Sequence, residues 1–183
     1  MQIIHIHNID TPLGDMTAGV SASGVHLLEF LNPDRIDKQR QVIMQKAQVL
    51  FSNDPHRIHE QLREELEEYF SGKRSEFSVK AIPTGTEFQM RVWSKLREIP
   101  YGRTWSYLEL ADSLGDPKAV RAVAKANGEN PIAMLIPCHR VIGKDGNLTG
   151  YAGGLDRKRK LLNLERQTAG SDIYRRGDQI DLF

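Results

Sequence analysis

The sequence predicts an α+β protein: a small N-terminal sheet-plus-helix domain, then a mostly helical domain carrying a helix-turn-helix. Two patterns lead there. Short strand-like segments separated by turn residues fill the first thirty positions, and helical periods take over after them, almost without interruption beyond Pro83. The length agrees, because 183 residues suit one compact domain or two small ones. Apolar residues at 39% and charged residues at 27% are ordinary for a soluble globular protein.

Strands are expected over residues 3–6, 16–21 and 25–30, with turns at Thr11-Pro12-Leu13-Gly14 and Ser23-Gly24. Helices are expected over 37–51 and 55–70. The second carries Ile58, Leu62, Leu66 and Tyr69 at three-to-four spacing, with glutamates between them. Residues 71–82 read as a linker plus a strand. A second domain begins near Pro83, giving expected units 1–82 and 83–166 and a polar tail, 167–183. Thr86 with Gln89 forms a capping-box pattern, opening a helix with Phe88, Val92, Trp93 and Leu96 on its apolar side. Pro100-Tyr101-Gly102 breaks the chain. A short helix over 106–114 ends at Gly115; Asp116 as N-cap and Pro117 at the first position then open another, closed by Asn127-Gly128. Two short helices around a glycine-containing turn make the helix-turn-helix.

Composition excludes several classes. The longest uninterrupted apolar run is 132–136, far short of a bilayer span. Met1-Gln2-Ile3-Ile4-His5 lacks the cationic start and apolar run of a secretory signal, so a cytosolic, bacterial protein without membrane attachment is expected. The one cysteine, Cys138, rules out an internal disulfide and a thiolate-rich zinc site. His5, His7 and His26 lack clustered ligand spacing and read as solvated or strand-edge residues; neither metal nor cofactor is expected. Net charge is only +1, but residues 1–80 hold 9 Lys and Arg against 12 Asp and Glu, whereas residues 81–183 hold 16 against 12. A mildly basic second part is compatible with DNA.

The second helix of the pair sharpens this. Ala119, Ala122 and Ala126 share a surface without bulk, while Lys118, Arg121 and Lys125 supply cations. Such a face lets a helix approach a groove closely while its cations meet phosphates. The bland alternative is an alanine-rich packing helix.

The segment opening at Asn130 contains Pro137-Cys138-His139-Arg140-Val141. This core resembles the active-site signature of the O6-alkylguanine-DNA alkyltransferases. Tyr151-Ala152-Gly153-Gly154, Lys158, the ending Leu161-Leu162-Asn163-Leu164-Glu165, Thr104-Trp105-Ser106-Tyr107 and the Arg121 helix fall where that family places corresponding parts. The resemblance is close over roughly residues 84–166 and covers only general layout before that. It implies a ribonuclease H-like N-terminal domain and direct repair: transfer of an alkyl group from O6-methylguanine in double-stranded DNA, and also O4-methylthymine, onto Cys138. The thioether is stable, so each molecule reacts once.

The residues suit that chemistry. A thiol of pKa ~8.5 is mostly protonated at neutral pH, whereas the thiolate is the nucleophile; closing that gap needs roughly 2 kcal/mol of differential stabilisation, which an imidazole can provide. Neighbours on a strand face opposite ways, so Cys138 and His139 require the tight turn that Pro137 permits. In the family a water bridges the two, and the resemblance makes Glu165 the residue that orients His139, as in a protease triad. Asn130 would pin the hinge before the reactive segment. Guanine O6 lies inside the base pair, so attack on its alkyl carbon requires base flipping. By the same resemblance Arg121 fills the vacated stack with its helix in the minor groove, Tyr107 assists release of guanine, Lys158 supports developing charge and Tyr151 walls the base pocket. Tyr107 and Tyr151 as core aromatics and Lys158 as a solvated cation are the bland alternatives.

Glu129 places an acid close to the DNA-facing helix, and without N-terminal cysteines the cysteine-containing zinc site of some relatives is excluded. Three other classes compete: a non-catalytic lesion binder, which in that group lacks the reactive cysteine; a helix-turn-helix regulator, for which no dimer interface or effector domain is visible; and a turnover hydrolase using Cys, His and Glu. A monomer is expected. The tail ends Gln179-Ile180-Asp181-Leu182-Phe183, which resembles the bacterial sliding-clamp binding motif. Leu182 and Phe183 would enter an apolar pocket with Gln179 at its rim.

Overall fold

The computed structural model describes residues 1–169, and the chain divides into two compact units. The first comprises residues 1–86 together with 131–135; the second comprises, among the described residues, 87–130 and 136–169. The clamp-like pentapeptide at 179–183 lies outside the described residues.

In the first unit, β1 (Gln2–Ile9), β2 (Met16–Ser21), β3 (Gly24–Phe30) and β4 (Val49–Ser52) form one sheet in the order β3-β2-β1-β4. The hairpin pairs are antiparallel and β4 joins β1 in parallel, after a crossover through α1 (Pro33–Lys46). Every residue of β2 and β3 is buried. Helix α2 (Arg57–Phe70) packs on β2, and Leu62, Leu66 and Tyr69 form its buried stripe, as their spacing implies. Glu65, on the same face, accepts from the backbone N–H groups of Ser78 and Val79, from the Ser78 hydroxyl and from Gln61, so its carboxylate is buried with its acceptor capacity used.

Three expectations for this part need correction. The helix expected over 37–51 is α1, starting earlier at Pro33 and ending at Lys46. Asn32 caps it by accepting from the Arg35 N–H, and Pro33 occupies its first turn. Beyond Ala47 the backbone is extended, and Val49, Leu50 and Phe51 pair with Gln2, Ile3 and Ile4. β-branched and aromatic residues gain more from that ladder than from another helical turn. The strand expected within 71–82 shrinks to one bridge between Ala81 and Val25; Gly24 stands there because a Cβ would meet Lys80 O at 2.2 Å. His26, on the edge strand β3, is buried rather than solvated, its Nε2 being 2.8 Å from Ser21 Oγ.

Residues 131–135 complete this unit. The Leu28 N–H donates to Pro131 O, and the Ala133 N–H donates to Leu28 O. Met134 follows with φ +67°, and the Leu135 N–H donates to Ala133 O at 2.8 Å. This is a tight γ-turn in a region that side chains other than glycine avoid, costing about 1–3 kcal/mol.

In the second unit, α3 (Glu87–Leu96), α4 (Tyr107–Ser113) and α5 (Val120–Gly128) pack on one another. Trp93 is buried between them, with its Nε1–H donated to Ala126 O at 2.9 Å. Ser106 caps α4 through a reciprocal capping box with Glu109. A 3₁₀ turn, Pro117–Ala119, precedes α5 and is capped by Asp116. The short strands β5 (Trp105–Ser106) and β6 (Val141–Ile142) run parallel, and α6 (Leu155–Thr168) closes the described chain.

Candidate active site

The reactive segment enters the second unit at Ile136. Pro137, at φ −80° and ψ 62°, sits at the centre of an inverse γ-turn, with the Cys138 N–H donating to Ile136 O at 2.8 Å. Cys138, His139 and Arg140 then form one 3₁₀ turn leading into β6. Asn130 donates its amide to Ile136 O at 2.8 Å, and Asn127 reaches Cys138 O at 3.4 Å. Two buried asparagines therefore hold the backbone on either side of Pro137. Cys138 is 5% exposed, shielded from bulk water without being sealed off.

Behind the thiol, α6 supplies the partners. Lys158, Leu161, Leu162 and Glu165 share its buried face, because positions three, four and seven apart lie above one another on a helix. Two ionic side chains are thereby carried into an otherwise apolar stripe. His139 is fully buried, with Nε2 2.7 Å from Glu165 Oε1, and its Nδ1 has no protein hydrogen-bond partner among the described residues. Arg140 grips the same carboxylate, Nε to Oε2 at 2.9 Å and Nη2 to Oε1 at 3.0 Å. Burial works to raise the Glu165 carboxyl, but the charges and hydrogen bonds of His139 and Arg140 prevail and hold it well below the usual carboxylate range. Burial pushes His139 down from its ordinary value; Glu165 opposes that, while Arg140 and Lys158 reinforce it. The imidazole is therefore poised neutral, with Nε2–H directed at Glu165 and Nδ1 left as the acceptor.

Lys158, buried rather than solvated, donates from Nζ to Val141 O at 2.5 Å and Thr149 O at 2.7 Å. Burial lowers its ammonium to about 8, opposed by the negative charge of the Cys138 sulfur. Tyr107, at the start of α4, donates its hydroxyl to Thr149 O at 3.2 Å, and its ring centroid lies 5.9 Å from Lys158 Nζ. Burial raises the Tyr107 phenol, and the Cys138 charge adds to that effect. Cys138, His139, Glu165, Asn130, Lys158 and Tyr107 thus belong to one connected cluster. Tyr151 stands half-buried in the turn that opens α6, where the Gly154 N–H donates to Tyr151 O.

A second group lies on the open side of α5. Lys118, Arg121 and Lys125 are exposed and make no ion pair with any described residue, whereas Lys95 pairs with Glu98 and Lys160 with Asp156. Ala122 is exposed among them and Ala119 is half-buried. Ala126, expected on the same surface, is instead buried in the packed face with Val123 and Asn127. Ala122 and Ala126 both belong to α5, but Ala126 lies three residues from Val123 and beside Asn127, so it falls on the packed side while Ala122 falls at the solvent edge. Glu129, the acid expected to oppose DNA here, accepts from Gln89 Nε2 at 2.7 Å.

Sequence reasoning missed Arg140, Asn127 and Gly102. The first follows His139 directly, but its carboxylate partner Glu165 is 25 residues away, and no spacing in the sequence links the two. Asn127 was read only as a helix terminator. Gly102 was read as a breaker, yet its N–H donates to Glu165 Oε2 at 3.1 Å.

The fold has close counterparts. Residues 87–167 match the DNA-binding domain of 6-O-methylguanine DNA methyltransferase. The chain is 43% identical to the methylated-DNA–protein-cysteine methyltransferase of Mycobacterium tuberculosis (strain ATCC 25618 / H37Rv), over 93% of this chain and 98% of that one. It is 46% identical to the protein of the same name from Methanosarcina barkeri, over 86% and 94%. It superposes on the crystal structure of Mycobacterium tuberculosis OGT in complex with DNA with a TM-score of 0.77 at 43% identity, covering 92% of this chain and 96% of that one. At this identity over nearly the whole length, and with the Cys138–His139–Glu165 cluster in place, the chain belongs to the methylated-DNA–protein-cysteine methyltransferase family.

Proposed function

We propose that this chain repairs alkylated DNA directly, moving the alkyl group of O6-methylguanine, and also of O4-methylthymine, onto Cys138. The observation that carries the reading is the buried His139, fixed on Glu165 through Nε2 and left with an unpartnered Nδ1, in the residue that follows the chain's one thiol. His139 takes the thiol proton through a bridging water. Sγ then attacks the alkyl carbon; the S–C bond forms as the C–O6 bond breaks, and the electron pair leaves with guanine. Tyr107 donates toward the departing base, and the Lys158 cation supports the charge in transit. Asn130 fixes the hinge, and Tyr151 walls the base pocket. No cofactor or metal takes part in this reading.

The α4–turn–α5 pair serves as the helix-turn-helix. Lys118 meets phosphate, Ala119 and Ala122 allow close approach to the minor groove, and Arg121 fills the stack when the damaged base is flipped. The N-terminal domain is ribonuclease H-like and ends between residues 82 and 86, and the transfer domain follows it to 166 apart from 131–135, which completes the first unit. The protein acts as a monomer in the cytoplasm; among the described residues no helix is long and apolar enough to cross a membrane.

Because the thioether is not hydrolysed, a titration of duplex carrying O6-methylguanine against protein should end at one lesion repaired per chain, with no slow continuation. Repair of many lesions per chain would replace this reading with a turnover hydrolase; retention of the lesion without loss of its methyl would make the protein a lesion binder.

Residues 179–183 serve as a ligand of the bacterial sliding clamp, with Gln179, Leu182 and Phe183 as anchors. Affinity should be modest, roughly micromolar, because a five-residue motif offers only a few anchoring contacts. Calorimetric titration of the clamp should show binding by the intact protein and none by Leu182→Ala/Phe183→Ala. Equal binding by both, or by neither, removes the clamp from the account.

A further inference from the structure

The donors around Glu165 do not end at His139. The turn at residues 99–102 is moulded onto the Arg140–Glu165 pair through three contacts. Ile99 O accepts Arg140 Nη1–H at 2.7 Å; the Gly102 N–H donates to Glu165 Oε2 at 3.1 Å; and the Tyr101 ring centroid lies 5.5 Å from the guanidinium carbon. Tyr101 is itself tethered, its hydroxyl 2.6 Å from Thr168 Oγ1 at the end of α6. Gly102 can make its contact only as glycine. Its φ is +73°, and a Cβ there would stand 2.7 Å from the Ala169 Cβ. Arg140 spends one nitrogen on the turn and two on the carboxylate, all with short geometry and nearly out of solvent.

We propose that the Ile99–Gly102 turn, acting through Arg140 and through the Gly102 amide, is a positioning element of the transfer reaction: it locks the Glu165 carboxylate in the one orientation that takes His139 Nε2–H and leaves Nδ1 to receive the Cys138 proton. The inference rests on the alkyl-transfer reading above. Two consequences follow from the geometry. Arg140 spans both oxygens and Gly102 adds a second donor to Oε2, so Oε1 is the oxygen that meets the imidazole, and an acceptor facing Nε2 fixes the tautomer. The Arg140 cation also offsets the Glu165 charge, so His139 faces an ion pair rather than a bare anion and stays a neutral base instead of a resting imidazolium. The charged or titratable groups around His139 are Glu165 and Lys158 from α6 and Cys138 and Arg140 from its own turn; Tyr107 from α4 is coupled to Cys138. Among these, Arg140 is the cation bonded directly to the carboxylate that His139 uses.

The test is the pH profile of single-turnover transfer from free O6-benzylguanine, a substrate without a DNA backbone, between about pH 5 and 9. A neutral His139 base gives a rate that falls as pH drops through its pKa. Arg140→Met removes a charge that lowers that pKa, so the acid limb should move to higher pH by about one unit. Arg140→Lys keeps the cation but cannot hold both oxygens, so transfer should be roughly 10-fold slower with the limb unmoved. Gly102→Ala/Ala169→Gly relieves the Cβ contact while displacing the amide, and should move the limb in the same direction by less. That double variant decides the matter if Arg140→Met does not fold. If Arg140→Met and Gly102→Ala/Ala169→Gly fold and lose rate without any movement of the limb, the turn is a structural brace and the proposal is overturned. Failure of the unaltered protein to take up the benzyl group at any pH would instead contradict the alkyl-transfer reading itself.

Discussion

His139→Phe and Glu165→Gln should each slow methyl transfer by roughly 10²–10⁴-fold while leaving affinity for DNA close to that of the native protein. The magnitude follows from the site. Without a base, Cys138 must react from the small thiolate fraction that a free thiol offers at neutral pH. A phenyl ring in place of the imidazole supplies no acceptor, and a neutral amide in place of the carboxylate cannot balance an imidazolium. DNA affinity should hold because neither His139 nor Glu165 lies on the open face of α5: both are fully buried. Glu165→Gln also leaves the buried Arg140 cation without its counter-charge, which costs about 3–5 kcal/mol, so rates belong beside a thermal melt of each variant. The unaltered protein should show a two-sided pH profile. The acid limb is protonation of His139, the alkaline limb deprotonation of Lys158 near its lowered value of about 8. Glu165 gives the fold its own dependence: a carboxyl held below its unfolded value stabilises at neutral pH, and that contribution is lost as pH falls through and below the ordinary carboxylate range. Unchanged transfer rates in both variants would remove the relay.

Arg121→Ala should slow repair in duplex DNA by roughly 10–100-fold and leave transfer from free O6-benzylguanine almost untouched. Extruding a base costs a few kcal/mol in lost stacking, and a side chain that occupies the gap recovers part of it. A free base has no stack to fill. Arg121 is exposed on α5 and lies outside the hydrogen-bonded cluster at Cys138, so its loss leaves the thiol, His139 and Lys158 as they are. Binding to undamaged duplex should weaken as salt rises, and Lys118→Ala should reduce that dependence by about one phosphate contact. Single-turnover rates on the two substrates, measured side by side, decide the point; equal losses on both would place Arg121 in the chemistry rather than in flipping.

What was legible in the sequence depended on the distance over which each signal acts. Caps and turns are local, so Ser106 with Glu109, Asp116 with Pro117 and the α2 stripe could be read without knowing the fold. The Lys158–Glu165 spacing was legible too, because seven residues bring a helix back to the same face. β4 was misassigned because Val49, Leu50 and Phe51 prolong a helical period, and only β1, about 47 residues earlier, makes them a strand. Ala126 was misplaced because it and Ala122, four apart on α5, straddle the edge of the packed face, and only the inward packing of Val123 and Asn127 shows on which side each falls. The grip of Arg140 on Glu165 spans 25 residues, and that of Gly102 spans 63. No periodicity or spacing connects such positions, so the immediate surroundings of the relay became visible only in three dimensions.

The central claim is that one sulfur atom accepts the alkyl group, and peptide mass mapping after incubation with O6-methylguanine duplex tests it most directly. The expected result is one added methyl, confined to the peptide containing Cys138, in step with disappearance of the lesion, and no added mass in Cys138→Ser. Disappearance of the lesion with Cys138 unmodified, or the same methyl gain in Cys138→Ser, would contradict it.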